Sequence, residues 1–174
     1  AISGSKGLAD LPAFTVDTGS TSSALSGDLS GSTALTKTGT GTLALTGSNT
    51  YTGATAISEG ALVFRADTPS LPSGSITGTG TLAIEPASTS FSATYSFNKA
   101  LGTSLTGLTL GKAGNTAGIN VDAAIDVQGP LSIQGGAVSV NQPLRAAGDI
   151  ALTATSTDLL VNKAITGTSA ATQG

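Results

Sequence analysis

"GTGTLALTGSNTYTGATAISEGALVF", residues 39–64, contains one charged side chain, Glu59, and neither histidine nor cysteine. Apolar residues alternate with small polar ones in "TLALT" (42–46) and again in "ALVF" (61–64). A period of two is the pattern of a strand, and the Gly, Asn and Ser clusters that bound each run are turn formers. A stretch so regular and so poor in reactive groups reads as one layer of a stacked array.

Outward from this stretch the rhythm continues in "TLAI" (81–84), "LTL" (108–110), "LSI" (131–133), "VSV" (138–140) and "DIAL" (149–152). "GTGTLA" at 39–44 recurs at 78–83, an offset of 39 residues. Four further units align: "FNKAL" (97–101), "VDAAI" (121–125), "VNQPL" (140–144) and "VNKAI" (161–165), with starts 24, 19 and 21 residues apart. The longer offset is close to two such periods. A repeat near 20 residues predicts an all-β chain folded as a β-solenoid, a parallel β-helix with about 20 residues per coil. Stacking ~4.8 Å per coil, roughly seven to nine coils make a rod near 40 Å tall.

The columns of the four units show where each coil bends. "INVDAAIDV" (119–127) looks like one long strand, but its sister units carry Lys99, Gln142 and Lys163 at the third position and Pro143 at the fourth. Lysine and proline do not suit a buried strand centre, so the unit reads as a corner. Phe97, Val121, Val140 and Val161 end one strand, and Leu101, Ile125, Leu144 and Ile165 begin the next. Between them Asn98, Asp122, Asn141 and Asn162 turn the chain, as short Asx side chains do, and should share one edge as a ladder.

Two regions depart from the pattern. Residues 65–76, "RADTPSLPSGSI", hold two prolines and are expected to protrude as a loop. Residues 1–25 alternate weakly and are expected to form a frayed or incomplete coil. Because the pattern is under way at residue 1 and still running at residue 174, the whole chain, 1–174, reads as one solenoid segment excised from a longer protein.

Composition narrows the function. Aromatics make up 3% of the chain, with no Met or Trp, so the core is built of short aliphatics, which suit a narrow repetitive interior. A net charge of −3 with seven Lys and Arg leaves no basic stripe for a phosphate backbone, and nucleic acid is not an expected partner. The absence of Cys and His removes disulfides, thiolate chemistry and the commonest metal ligand and general base. No cofactor or metal is expected. No run approaches the ~18 apolar residues of a membrane helix, and the N-terminus lacks the layout of a signal peptide.

The candidate chemistry is thin. Asp122 with Asp126 is the sharpest pair of carboxylates for a polysaccharide-processing enzyme, yet the corner register sets Asp122 beside Asn98 and Asn141 rather than beside an acid. Gly135 and Gly136 lack the Asp of a calcium-binding roll and read as a turn. Thr40, Thr42, Thr79 and Thr81 raise an ice-binding solenoid as a rival, although outward Thr is also an ordinary strand residue. Tyr51 is expected to lie over the turn after Leu45. The chain is therefore not expected to be an enzyme.

Gly39, Gly41, Leu43, Leu45, Gly47, Asn49, Thr50, Tyr51, Gly53, Gly60 and Leu62 resemble the β-strand repeat associated with autotransporter passenger domains. Residues 107–167, in strand-turn rhythm and Asn corners, look like the repeats of filamentous-haemagglutinin-like exoproteins of Gram-negative bacteria. The resemblance implies a right-handed helix, export through an outer-membrane barrel or partner, and secretion or display at the cell surface as an adhesin. It also implies that the parent protein meets a host-cell or matrix receptor or a glycan, this segment serving as its stalk.

Overall fold

The computed structural model describes residues 8, 9, 11–156 and 158–167. They form a β-solenoid of about eight turns, with parallel pairing throughout and no helix among the described residues. The longest sheet stacks seven strands: Ser23–Leu25, Thr42–Leu45, Ala61–Arg65, Thr81–Glu85, Gly107–Gly111, Leu131–Gly135 and Ile150–Ala154. After each of these strands the chain crosses a second side of the coil, then a third, and returns.

The second side is short near the N-terminus, where Leu8–Ala9 pairs Leu29–Ser30 and Leu29 bridges Asn49. It broadens later into Tyr95–Phe97, Ile119–Val121, Val138–Val140 and Leu159–Val161. The third side holds Phe14–Asp17, Leu35–Thr38, Thr55–Ile57 and Ile76–Gly78. It is carried past Leu101 by a single bridge and resumes with Ile125–Val127, Leu144–Ala146 and Ile165–Gly167.

Registry makes the core. In the long sheet Leu25, Leu45, Phe64, Ile84, Leu110, Ile133 and Leu152 stand in one column. Leu43, Leu62, Leu82, Leu108, Leu131 and Ile150 form a second beside it, and Phe97, Val121, Val140 and Val161 a third across the interior. Nearly all are fully buried, each contributing ~1.5–3 kcal/mol of apolar burial. Their neighbours along each strand point outward, as the two-residue side-chain period requires.

Successive members of the first column are 20, 19, 20, 26, 23 and 19 residues apart. The 39-residue offset is thus two coils: Thr42 and Thr81 share a column but Ala61 stands between them, so the threonines make no continuous array.

Residues 65–76 do not protrude. Arg65 ends one strand, Ile76 begins the next, and only Thr68, Ser73 and Ser75 are exposed. The prolines bend the chain around the body, and Lys99 in the following coil donates to the carbonyls of Pro72 (2.7 Å) and Ser73 (2.8 Å). The extra length lies one coil later, in the 26-residue coil, where residues 86–94 are mostly exposed and are anchored by buried Pro86 and Phe91. Buried Asn115 holds this insertion: its Oδ1 accepts from Ser90 Oγ (2.9 Å) and Phe91 N (3.2 Å), and its Nδ2 donates to Gln134 O (3.0 Å). The Phe91 and Tyr95 rings meet at 5.1 Å. Near the N-terminus Phe14–Asp17 and Ser23–Leu25 pair fully with the next coil, so residues 11–25 are a proper coil, while residues 1–7 and 10 lie outside the described residues.

Candidate functional site

Of the four corner side chains expected on one edge, Asp122, Asn141 and Asn162 are joined by side-chain hydrogen bonds. Asn141 Nδ2 donates to Asp122 Oδ1 (2.9 Å), and Asn162 Nδ2 donates to Asn141 Oδ1 (2.9 Å). Asn98 occupies the same corner one coil earlier, following Phe97, whose carbonyl accepts from Asp122 N (2.8 Å). Each amide donates toward the N-terminal coil, and a carboxylate accepts only, so Asp122 closes this run of bonds. Asn141→Ala is expected to cost ~1 kcal/mol, because two exposed bonds are lost, one of them to a carboxylate; equilibrium urea unfolding checks the value.

Asp122 faces an amide rather than an acid, and Asp126 sits beside Arg145 at 4.0 Å. No group of three or more His, Cys, Asp or Glu side chains gathers among the described residues. Gly135 and Gly136 occupy a tight crossing; a side chain at Gly136 would meet the Thr116 carbonyl.

One concave feature interrupts the third side where its sheet breaks near Leu101. It is an open groove of about 350 Å³ walled by Thr103, Asp126, Gln128, Arg145 and Thr166. Asp126, Arg145 and Thr166 stand in register across three coils. Gln128 Nε2 donates to Thr103 O (2.9 Å), supplying a donor where the regular ladder fails. The groove carries no aromatic platform.

A polar interior lies around residues 37–59, overlapping the stretch 39–64. Lys37 is fully buried in a strand, in column with Val16 and Ile57. Its Nζ donates to the carbonyls of Thr38 (2.8 Å), Gly39 (2.6 Å) and Glu59 (3.2 Å). Burial pushes its ammonium below the ordinary lysine range, and Asp17 and Glu59 pull the other way. Sequence reading passed over Lys37 because "LTKT" (35–38) lacks an apolar inward residue at that point.

Tyr51 is wholly buried rather than laid over a turn, its hydroxyl 2.7 Å from Thr55 Oγ1. Asn49 is buried beside it in sequence, with Nδ2 on Gly47 O (2.8 Å) and its backbone N–H on Ser70 Oγ (3.1 Å). Leu43, Leu45 and Leu62 line the core, Gly39 holds φ +76°, and Gly41 and Gly53 pass against the backbones of Thr21 and Thr33. Coil geometry thus accounts for these positions apart from Asn49 Oδ1, which is buried with no hydrogen-bond partner.

Residues 35–64 match the family model of the passenger-associated-transport-repeat. This segment of the chain is similar to that repeat. The repeat spans about one and a half coils, from the strand Leu35–Thr38 to the strand Ala61–Arg65. The family it resembles is a repeat of autotransporter passengers, a family that implies a secreted or surface-exposed location in Gram-negative bacteria. No curated protein and no solved structure matches the chain.

Burial of the repeat's tyrosine gives a pH signature. Tyr51 is pushed up to about 12 by desolvation, with the Thr55 bond acting against it. Its folded value exceeds the unfolded ~10, so its contribution is complete below pH ~10 and is lost as pH rises through about 12, amounting to ~2–3 kcal/mol. Chemical unfolding between pH 9 and 12 should show this fall, and Tyr51→Phe should reduce it; equal slopes in both proteins would contradict the assignment.

Proposed function

We propose that this chain is a rigid spacer in the passenger of a surface-displayed adhesin, and that it performs no catalysis. The observation that carries this reading is the unbroken interior, in which one apolar column runs from Leu25 to Leu152 through all seven strands of the long sheet. Each coil is hydrogen-bonded to its neighbours along its sides, and the outward positions of that sheet are small or uncharged apart from the Arg65–Glu85 pair at 3.1 Å. Such a body transmits length and offers few groups for chemistry.

The likeness to filamentous-haemagglutinin-like exoproteins supports the adhesin role and export through an outer-membrane barrel or partner. The receptor or glycan is met by the parent protein rather than by this segment. A net charge of −3 argues against nucleic acid as a partner.

Deleting residues 44–62 tests the spacer. Leu43 and Leu62 are paired, so joining Leu43 to Val63 removes one coil and preserves every column. The variant is expected to fold, to be shorter by ~4.8 Å, and to leave attachment by cells displaying the parent protein intact. Loss of attachment by a folded variant, or release of reducing ends from a polysaccharide panel by the intact chain, overturns this reading.

A further inference from the structure

We infer that the rod binds a buried water at Asn49, in a seam on its second side between residues 49–52 and residues 69–73 of the next coil. Asn49 is 3% exposed and bridges Leu29 in parallel, so an amide stands where the preceding coil places a leucine. Its Nδ2 donates to Gly47 O (2.8 Å) and its backbone N–H to Ser70 Oγ (3.1 Å). Its Oδ1 is the buried side-chain polar atom that no group among the described residues satisfies. A buried acceptor without a donor bears its full desolvation penalty, and a native interior meets that penalty with a partner.

The donors of the surrounding chain are committed elsewhere. Ser48 N donates to Asp28 Oδ1 (2.7 Å), Thr50 N to Leu29 O (2.8 Å), Thr52 N to Gly31 O (2.8 Å) and Ser73 N to Tyr51 O (3.2 Å). The Tyr51 hydroxyl is paired with Thr55 Oγ1. Pro69 and Pro72 have no N–H, so the coil above brings fewer donors to this side than a regular coil does. Its nearest hydroxyl, Ser70 Oγ, accepts from Asn49 N and keeps a proton of its own to give.

A single water completes this arrangement. It donates one hydrogen to Asn49 Oδ1 and accepts the Ser70 hydroxyl proton, which gives it the two polar anchors that a buried water needs at the least. Asparagine is smaller than the leucine it stacks on, by enough to seat a molecule whose share of the liquid is ~30 Å³. Water suits the site better than a cation does. A neutral amide oxygen and a hydroxyl are too few ligands for a desolvated ion, and Asp28, the acid of this corner, is exposed and bonded to Ser48 N. On this side the two coils are therefore joined through Ser70 and a water where the prolines interrupt the backbone ladder.

Atomic-resolution diffraction from crystals of the 174-residue chain, with water–protein NOE measurements on the same chain in solution, is the test. Density for one water is expected ~2.7–3.2 Å from both Asn49 Oδ1 and Ser70 Oγ. A cross-peak between a long-lived water and the Asn49 side-chain amide protons is expected with it. Ser70→Ala should abolish that cross-peak, and Thr50→Ala, which alters an exposed neighbour, should keep it, in variants whose circular dichroism matches the unmodified chain. Asn49→Leu, which repeats the Leu29 of the coil before, should crystallise without the water. An Oδ1 that meets only apolar atoms, or one that a protein donor has turned to reach, overturns the proposal. So does a peak ringed at ~2.3–2.6 Å by six or more oxygens, which is a cation, or a cross-peak that survives Ser70→Ala.

Discussion

Lys37→Ala is expected to lower the unfolding free energy by ~3–5 kcal/mol, far more than a lysine substitution on a surface. The ammonium satisfies three carbonyls at a corner, two in its own turn and one, that of Glu59, in the next coil. Alanine leaves those oxygens without this donor and opens the space of a four-carbon stem in a fully buried position. Lys37→Met refills the stem but not the bonds, and should recover about half of the loss. Its folded-state value is depressed, so between that value and its ordinary 10.5 the unfolded chain holds the extra proton and stability rises with pH. That rise is absent in both variants and opposes the Tyr51 effect. Urea unfolding, with amide exchange read at Gly39, Gly41 and Gly60, locates the damage; a loss below ~0.5 kcal/mol would place Lys37 among the ordinary surface residues.

The same residue shows why some of the fold was legible in the sequence and some was not. The long sheet announced itself because its inward positions are Leu, Ile and Phe in nearly every coil, and each expected strand there lies within a residue or two of the observed one. The corner was legible for a different reason: Lys99, Gln142, Pro143 and Lys163 cannot share a buried strand centre, and the strands do end at Phe97, Val121, Val140 and Val161. The third side was harder to see. Its inward column runs Val16, Lys37, Ile57, Gly78, and a neighbouring one includes Thr55, so polar and absent side chains hide a period of two. Burial of Lys37, Thr55 and Asn115 is tolerated because each side chain has partners supplied by turns or an adjacent coil, information that a linear pattern does not carry. Residues 65–76 misled for the converse reason: prolines signal irregular backbone, and irregular backbone here lies flat on the rod.

Gly41→Ala is expected to cost ~3 kcal/mol and to loosen the first two coils at their shared corner. The cause is proximity, since a Cβ at Gly41 would sit 1.8 Å from the Thr21 carbonyl oxygen and 2.8 Å from the Thr21 nitrogen. Backbone cannot swing aside as a side chain can, so the coils must part. In parting they strain the Gly41 N–H to Gly19 carbonyl bond (2.8 Å) and the Ala61 N–H to Gly41 carbonyl bond (3.1 Å), which tie three coils together. Gly19→Ala separates crowding from backbone conformation: Gly19 has φ +53° with nothing within 4 Å of a Cβ, so its cost should be only the ~1–2 kcal/mol of a left-handed alanine. If the order of the two losses in urea unfolding is reversed, the glycine is retained for its torsion angles and not for the closeness of stacked backbones. If Gly41→Ala is the more damaging, the repeat motif is a rule about coil spacing: Leu43 and Leu45 fill the interior, and Gly41 lets the neighbouring backbone come near enough for them to touch the next layer.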